Sequence, residues 1–203
     1  MTVRLAVAGD APRLAELHAT GMTEGFLSAL GPRFLRILYR RTVASPDAFA
    51  YVVEEPIDGS VVVVGFAAAA LDVSDLYRRF IVRDGVIAGI AAAPQLLRSW
   101  RKVIETLRYP ASTDDLPDAE ILPRAEILSV AVDARATGRG IGTRVVDAAT
   151  AELTRRGVTA AKVVTGADNV AALRLYGRCG FVPRAQIAVH EGTPSEVLVW
   201  SSS

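Results

Sequence analysis

Hydrophobic positions along the chain switch repeatedly between a period of two and a helical period, outlining alternating strands and helices. Thr2 to Ala8 alternates as a first strand, and Asp10 stands where a helix cap belongs. The following segment sets Leu14, Leu17 and His18 on one face. Gly31-Pro32 opens a second helix, with Phe34, Leu35 and Leu38 inward and Arg36, Arg40 and Arg41 on a solvated side. Ala48 to Glu54 and Ser60 to Leu71 read as strands joined by the turn Pro56-Ile57-Asp58-Gly59. The second is apolar throughout, which places it centrally in a sheet.

Glu126 to Arg156 carries the densest information. Ile127 to Val132 is β-branched and apolar with small residues between, the pattern of a strand buried on both faces. Val145, Val146, Ala149 and Leu153 then recur at helical spacing, and Gly157 ends the run. Between them Gly138-Arg139-Gly140-Ile141-Gly142-Thr143 leaves room only for a sharp turn from strand into helix. Such a turn exposes the first helical N–H groups, all pointing one way, and glycines let a ligand approach the backbone. The turn therefore predicts a phosphate seat. Lysine follows none of these glycines, so it is not a P-loop. Position 143 is Thr143 instead of glycine, and Lys162 lies near where a dinucleotide site needs an acid, which argues against a nicotinamide cofactor.

Further on, Ala160 to Thr165 is a buried strand, and Asn169 begins a helix with Ala172, Leu175, Tyr176 and Cys179 on one stripe before Gly180. Gln186 to His190 and Glu196 to Trp200 form a last hairpin around Gly192-Thr193-Pro194. Within Asp72 to Arg124, Leu76 to Ala93 and Pro94 to Arg108 read as two helices and Tyr109 to Pro123 as a loop. This insertion is either a cap on the core or a lid over a substrate site. Its arginines, Arg78, Arg79, Arg98 and Arg101, read as a solvated helix face, with attraction of an acidic acceptor as the alternative, and its apolar helices offer a surface for a homodimer.

Composition narrows the class. A chain of 203 residues fits one domain, residues 1–203, with the insertion at about 72–124. A formal net charge of +1 gives no reason to expect nucleic acid, and no apolar stretch is long enough for a membrane span. Cys179 is the single cysteine, the N-terminus has no secretion signal, and a cytoplasmic setting is the expectation. His18 has no partner at metal-ligand spacing, so no metal is expected.

The order of elements, together with two motifs, resembles the GNAT family of N-acetyltransferases. One motif is the strand, glycine turn and helix of Glu126 to Arg156. The other is Asn169-Val-Ala-Ala-Leu-Arg-Leu-Tyr-Gly-Arg-Cys-Gly-Phe181, similar to the family's N-x-x-A-x-x-L-Y-x-x-x-G-F. The resemblance covers Val3 to Trp200 apart from the insertion. It implies an α/β (α+β mixed) fold with a mostly antiparallel sheet of six to seven strands flanked by helices. That sheet would splay between the 126–132 and 160–165 strands. It also implies an acetyl-CoA cosubstrate whose diphosphate meets Gly138, Arg139, Gly140, Ile141, Gly142 and Thr143 and whose pantetheine pairs with Val130 and Val132.

On the same basis Tyr176 matches the family tyrosine near the coenzyme A sulfur, and Asn169 either holds pantetheine, caps its helix, or does both. The family carries Gln or Arg where this chain has Thr137; Arg135 is two positions away and its ability to compensate is open. Weaker anchoring of coenzyme A is the expectation.

Acetyl transfer needs a neutral amine, a polarised thioester carbonyl and a protonated leaving thiol. Glu126, at the start of the strand, is the candidate base, with Glu55 and Asp72 in reserve; Tyr176 is the candidate acid. Cys179 reads as a packed helix cysteine, since no histidine in either motif could activate it. The resulting expectation is an acetyl-CoA-dependent N-acetyltransferase acting on a primary amine of a small molecule, peptide or protein. A regulatory module that only binds acyl-CoA, or a transferase for a longer acyl group, are the alternatives.

Overall fold

The computed structural model describes residues 1–22, 26–76, 78, 79, 122–187 and 194–202. The two insertion helices and the loop expected before Arg124, with Arg98 and Arg101, lie almost wholly outside these residues, as does the tip of the last hairpin. What is described of the insertion begins with helical residues 73–76. That start is earlier than the pattern suggested, because Asp72 Oδ1 accepts the Asp75 N–H at 3.1 Å as a cap.

Among the described residues seven strands form one sheet in the order β1-β2-β3-β4-β5-β7-β6: β1 (Thr2–Leu5), β2 (Ala48–Ile57), β3 (Ser60–Ala70), β4 (Ala125–Val132), β5 (Ala160–Gly166), β6 (Val182–Ile187) and β7 (Ser195–Ser201). Every pairing is antiparallel except β4 with β5. β3 sits between β2 and β4, and its residues from Val63 to Ala70 are buried, as its apolar run requires. The hairpin into it turns at Asp58 and Gly59, whose φ values of 49° and 78° suit a tight two-residue connection. Pro56 therefore belongs to β2 and not to the turn.

Helices cover both faces. α1 (Ala11–Gly21), α2 (Phe26–Ala29) and α3 (Gly31–Ala44) lie on one side. There Leu14, Leu17, Leu35 and Tyr39 pack with Val52, Phe66 and Ala68. α4 (Ile141–Arg155) and α5 (Val170–Arg178) lie on the other. Val145, Val146, Ala149 and Leu153 of α4 are fully enclosed there with Val53, Val64 and Ala67. Burying each of the larger side chains is worth about 1.5–3 kcal/mol, which fixes how α4 lies on the sheet. Tyr176 and Cys179 extend that core from α5, alongside Phe181.

Four further expectations need correction. β1 ends at Leu5 instead of Ala8. Asp10 does not cap α1: its carboxylate is taken by Arg4, at 2.7 and 3.0 Å, and by the Val7 N–H, at 2.8 Å. The last hairpin begins at Val182, earlier than Gln186, because β6 pairs with β7 from Val182↔Val199 onward. β4 is also not buried on both faces. Ala125, Ile127, Ser129 and Ala131 are buried while Glu126, Leu128, Val130 and Val132 are half-buried.

β4 also changes face along its length. Ala68 of β3 pairs with Ser129 and Ala69 with Ile127, so Leu128 is an extra residue, a bulge. Before it, Ala125 and Ile127 face the α4 side; after it, Ala131 faces α1 and α3, and Val130 and Val132 lean toward the α4 side. One inserted residue thus reassigns every following side chain.

Two predictions follow from this packing. A Cβ on Gly65 would stand 2.5 Å from Ile141 Cγ2, a β-branched side chain at the start of α4. Gly65→Ala should lower stability by about 1–3 kcal/mol through overpacking, read by urea denaturation; an unchanged midpoint would contradict the contact. Burial pushes the Cys179 thiol up to about 12, with the neighbouring Asp147 carboxylate adding to the rise. The thiolate is therefore scarce at pH 8, and iodoacetamide should alkylate the native protein at least about tenfold more slowly than the urea-unfolded chain. Equal rates would mean that the thiol is exposed and ionised.

Candidate active site

The parallel pairing of β4 with β5 consists of Ala125↔Ala161 and Glu126↔Lys162 alone. Beyond these residues the strands separate toward their C-terminal ends, while β3 stays paired to β4 as far as Val132. The Asp133 N–H donates to the Val64 carbonyl at 2.8 Å, so this residue's backbone polar groups face β3. Backbone direction alternates along a strand, so the N–H and C=O groups of Val130 and Val132 face the gap, where β5 supplies no partner. The sheet thus contains an open, hydrogen-bonding edge in its interior.

That edge leads to the glycine turn. Asp133 opens it by accepting the Arg135 N–H at 3.0 Å. Gly138 and Gly140 have φ of 75° and 74°, a left-handed backbone that glycine adopts without strain. Gly140 is the N-cap of α4, and the first helical N–H to find an intrahelical acceptor is that of Arg144, which donates to the Gly140 carbonyl at 3.1 Å. The amides of Ile141, Gly142 and Thr143 precede it at the positive end of the helix dipole. Ile141 itself is buried, and it anchors the turn to the core.

The side chains around the turn are paired among themselves. Arg135 is held by Asp133 at 3.0 and 2.9 Å. Arg13 also reaches Asp133, at 2.6 Å. Together these guanidinium groups, Arg135 foremost, hold the Asp133 carboxyl well below the usual carboxylate range. Thr137 donates to the Ala134 carbonyl at 3.0 Å. Arg139 meets Glu55 of β2 at 2.7 Å, and the other Glu55 oxygen is buried without a hydrogen-bond partner. Glu55 is therefore tied to the turn through Arg139. Asp72, the other reserve base, caps residues 73–76 and pairs with Arg124 at 3.6 Å.

At the closed end of the gap stands Glu126, with Lys162 Nζ at 3.8 Å from Oε2 and both side chains about four-fifths buried. Burial raises the Glu126 carboxyl above the ordinary carboxylate value, and the Lys162 ammonium pulls it the other way. Tyr176 lies in the core on the α4 side, reaching it from α5. Burial raises its phenol above the usual value, and the Cys179 and Glu126 charges add to the rise. The fold thus brings Glu126 and Tyr176 into each other's field although 50 residues separate them in sequence numbering, on the order of a full βα repeat. Asn169 Oδ1 accepts the Ala172 N–H at 3.1 Å, so the capping half of its expected role is present. Lys162 was missed in the sequence reading because only strand register reveals it as Glu126's partner. Among the described residues no cluster of His, Cys, Asp and Glu could hold a metal, and no helix is long and apolar enough to cross a membrane.

Several solved structures share this arrangement of chain. An N-acetyltransferase from Staphylococcus aureus Mu50 is 16% identical with a TM-score of 0.62, over 98% of this chain and 97% of that one. yncA from Salmonella typhimurium, solved with its cofactor acetyl-CoA, is 17% identical with a TM-score of 0.60, over 99% and 93%. The NatC complex bound to Gag peptide and CoA contains a chain 14% identical with a TM-score of 0.59, over 100% and 98%. At such identities the likeness is one of fold. No curated protein matches the chain. The model of the acetyltransferase (GNAT) family, however, matches residues 12–181, which take in both helical layers, the glycine turn and α5. The protein therefore belongs to the GNAT family of acetyltransferases.

Proposed function

We propose that the protein is an acetyl-CoA-dependent N-acetyltransferase that carries an acetyl group to a primary amine by direct attack in a ternary complex. The observation that carries this reading is the open backbone edge at Val130 and Val132 running to the α4 N-terminus. An extended amide-containing arm fits the edge, and a diphosphate fits the turn. The amides of residues 138–143 would hold the diphosphate, with the left-handed glycines allowing close approach. The Arg139–Glu55 pair leaves half of the Arg139 side chain exposed for a phosphate oxygen. Val130 and Val132 would pair with the pantetheine amides, and Asn169 would add a polar contact from the α5 cap. Coenzyme A supplies the activated thioester; the protein supplies position and protons.

Glu126 takes a proton from the acceptor amine as the new C–N bond forms. Its largely buried setting raises its basicity, while the Lys162 ammonium favours the ionised form. The C–S bond then breaks, and the departing sulfur takes the Tyr176 phenol proton; a raised phenol holds that proton at neutral pH, ready for donation. Solvent returns a proton to Tyr176, and Glu126 releases its own. A backbone N–H of β4 beside the thioester would polarise the carbonyl, an effect worth about 10²–10³ in rate.

Thiol release from acetyl-CoA across a panel of primary amines tests the reading. Glu126→Gln should cost about 10²–10⁴ in kcat with coenzyme A affinity kept. Because the base must be ionised, kcat/KM should rise with pH through a limb lying above the ordinary carboxylate range, and Glu126→Gln should remove that limb. Full turnover by Glu126→Gln at neutral pH would reject the assignment. Tyr176→Phe should lower kcat more than it raises the KM for acetyl-CoA.

A further inference from the structure

A row of three buried side chains joins α1, α3 and β4 and takes no part in the proton transfers. His18 Nδ1 lies 2.5 Å from Tyr39 Oη, which lies 2.8 Å from Ser129 Oγ. Burial lowers the His18 imidazole to about 4, so the ring is neutral near pH 7 and the row carries no charge. Tyr39 is held between rings: Phe66 of β3 meets it edge-on at 5.1 Å between centroids, and His18 is tilted against it at 5.7 Å. The phenol therefore stands at a fixed point on the α3 face of the sheet, where the Ser129 hydroxyl meets it.

Ser129 carries information that its neighbours lack. From Ile127 to Val132 β4 reads Ile-Leu-Ser-Val-Ala-Val, and Ser129 is its single polar side chain. The others are apolar and at home in either layer, so they do not decide which face each position takes. A hydroxyl does decide. On the α3 face it meets Tyr39, whereas on the opposite face it would enter the apolar layer that holds Val145, Val146 and Ala149. Burying it there without a bond is unfavourable.

Facing and backbone direction are locked together in a strand of L-residues: a side chain turned to one face turns its own N–H and C=O to a fixed side. With Ser129 facing α3, its backbone groups point to β3, and those of Val130 point into the gap. The extra residue at Leu128 is what permits this facing. A slip by one residue that removed the bulge would turn the Val130 groups toward β3 and close the open edge there.

We propose that Ser129 is a positioning residue for coenzyme A: tied through Tyr39 to His18, it holds β4 in the bulged register that aims the Val130 backbone at the pantetheine arm. The inference rests on the coenzyme A seat of the acetyl-transfer reading and adds to it residues that act from the far face of the sheet. His18 and Tyr39 work through Ser129, and Ser129 works through the Val130 backbone.

Calorimetry with two ligands tests this: coenzyme A, and adenosine 3′,5′-bisphosphate, which shares its nucleotide end but has no arm. Tyr39→Phe keeps the ring and removes the hydroxyl. It and Ser129→Ala should each weaken coenzyme A about tenfold and leave the bisphosphate within about twofold of wild type. Ser129→Thr, which restores a hydroxyl, should recover most of the loss. Amide exchange reads the same contrast within one ligand: in Tyr39→Phe, coenzyme A should still slow residues 141–143 but no longer Val130. Equal weakening of both ligands, or a lowered Tm with unchanged coenzyme A affinity, makes the row a purely structural element and overturns the proposal. Wild-type protein that binds no coenzyme A defeats the acetyl-transfer reading and this inference with it. Variants that bind coenzyme A as tightly as a binding wild type defeat the inference alone.

Discussion

The structure depends on a failure of strand pairing. β4 and β5 are parallel neighbours that share hydrogen bonds only at their first residues and then diverge. Leaving the backbone groups of Val130 and Val132 without a strand partner forgoes ladder hydrogen bonds, each worth about 0.5–1.5 kcal/mol. The remainder of the fold offsets it. The four-strand half β1 to β4 and the three-strand half β5, β7 and β6 are each fully laddered, and α4 lays its enclosed valines and leucine across the sheet. The gap is thus bounded by two laddered half-sheets.

From that gap the electrostatics follow. Its open end reaches the α4 N-terminus, where the helix dipole and free amides favour an anion. Its closed end buries Glu126 against Lys162, where desolvation and an opposite charge pull the carboxyl in contrary directions. Farther along α4, Glu152 shows the other outcome. Arg155 and Arg156 bond it at 2.8 Å or less, and with Arg155 foremost they hold it down to about 2. The contrast is instructive: a carboxylate enclosed by two guanidinium groups is fixed in its charge, whereas one with a single ammonium at 3.8 Å remains able to exchange a proton. Only the second kind suits general-base chemistry.

Much of this was legible in the sequence, for physical reasons that can be named. The α4 stripe and its preceding glycines are local patterns, and local patterns survive folding: the four stripe residues are buried and two of the glycines are left-handed. The splay between strands entered through family resemblance, since nothing in the composition of either strand encodes it. The bulge at Leu128 was hidden because small and apolar residues fill both faces of β4, so alternation there reads as burial on both sides. Partnerships that rest on register or on distant elements were also invisible. Lys162 with Glu126, Arg139 with Glu55, and the row from His18 through Tyr39 to Ser129 join residues as far as 90 positions apart. Asp10 misled for a related reason, as Arg4 outcompetes the helix end for its carboxylate.

The central claim is that the gap between β4 and β5, with the turn at its mouth, is built to receive an amide-bearing arm and its diphosphate. Amide hydrogen exchange with and without coenzyme A measures this at the groups concerned. The account predicts slowed exchange at Val130, Val132 and residues 139–143 on addition of coenzyme A, with β1 and β2 unaffected. Unchanged exchange at Val130 and Val132 under saturating coenzyme A would contradict it.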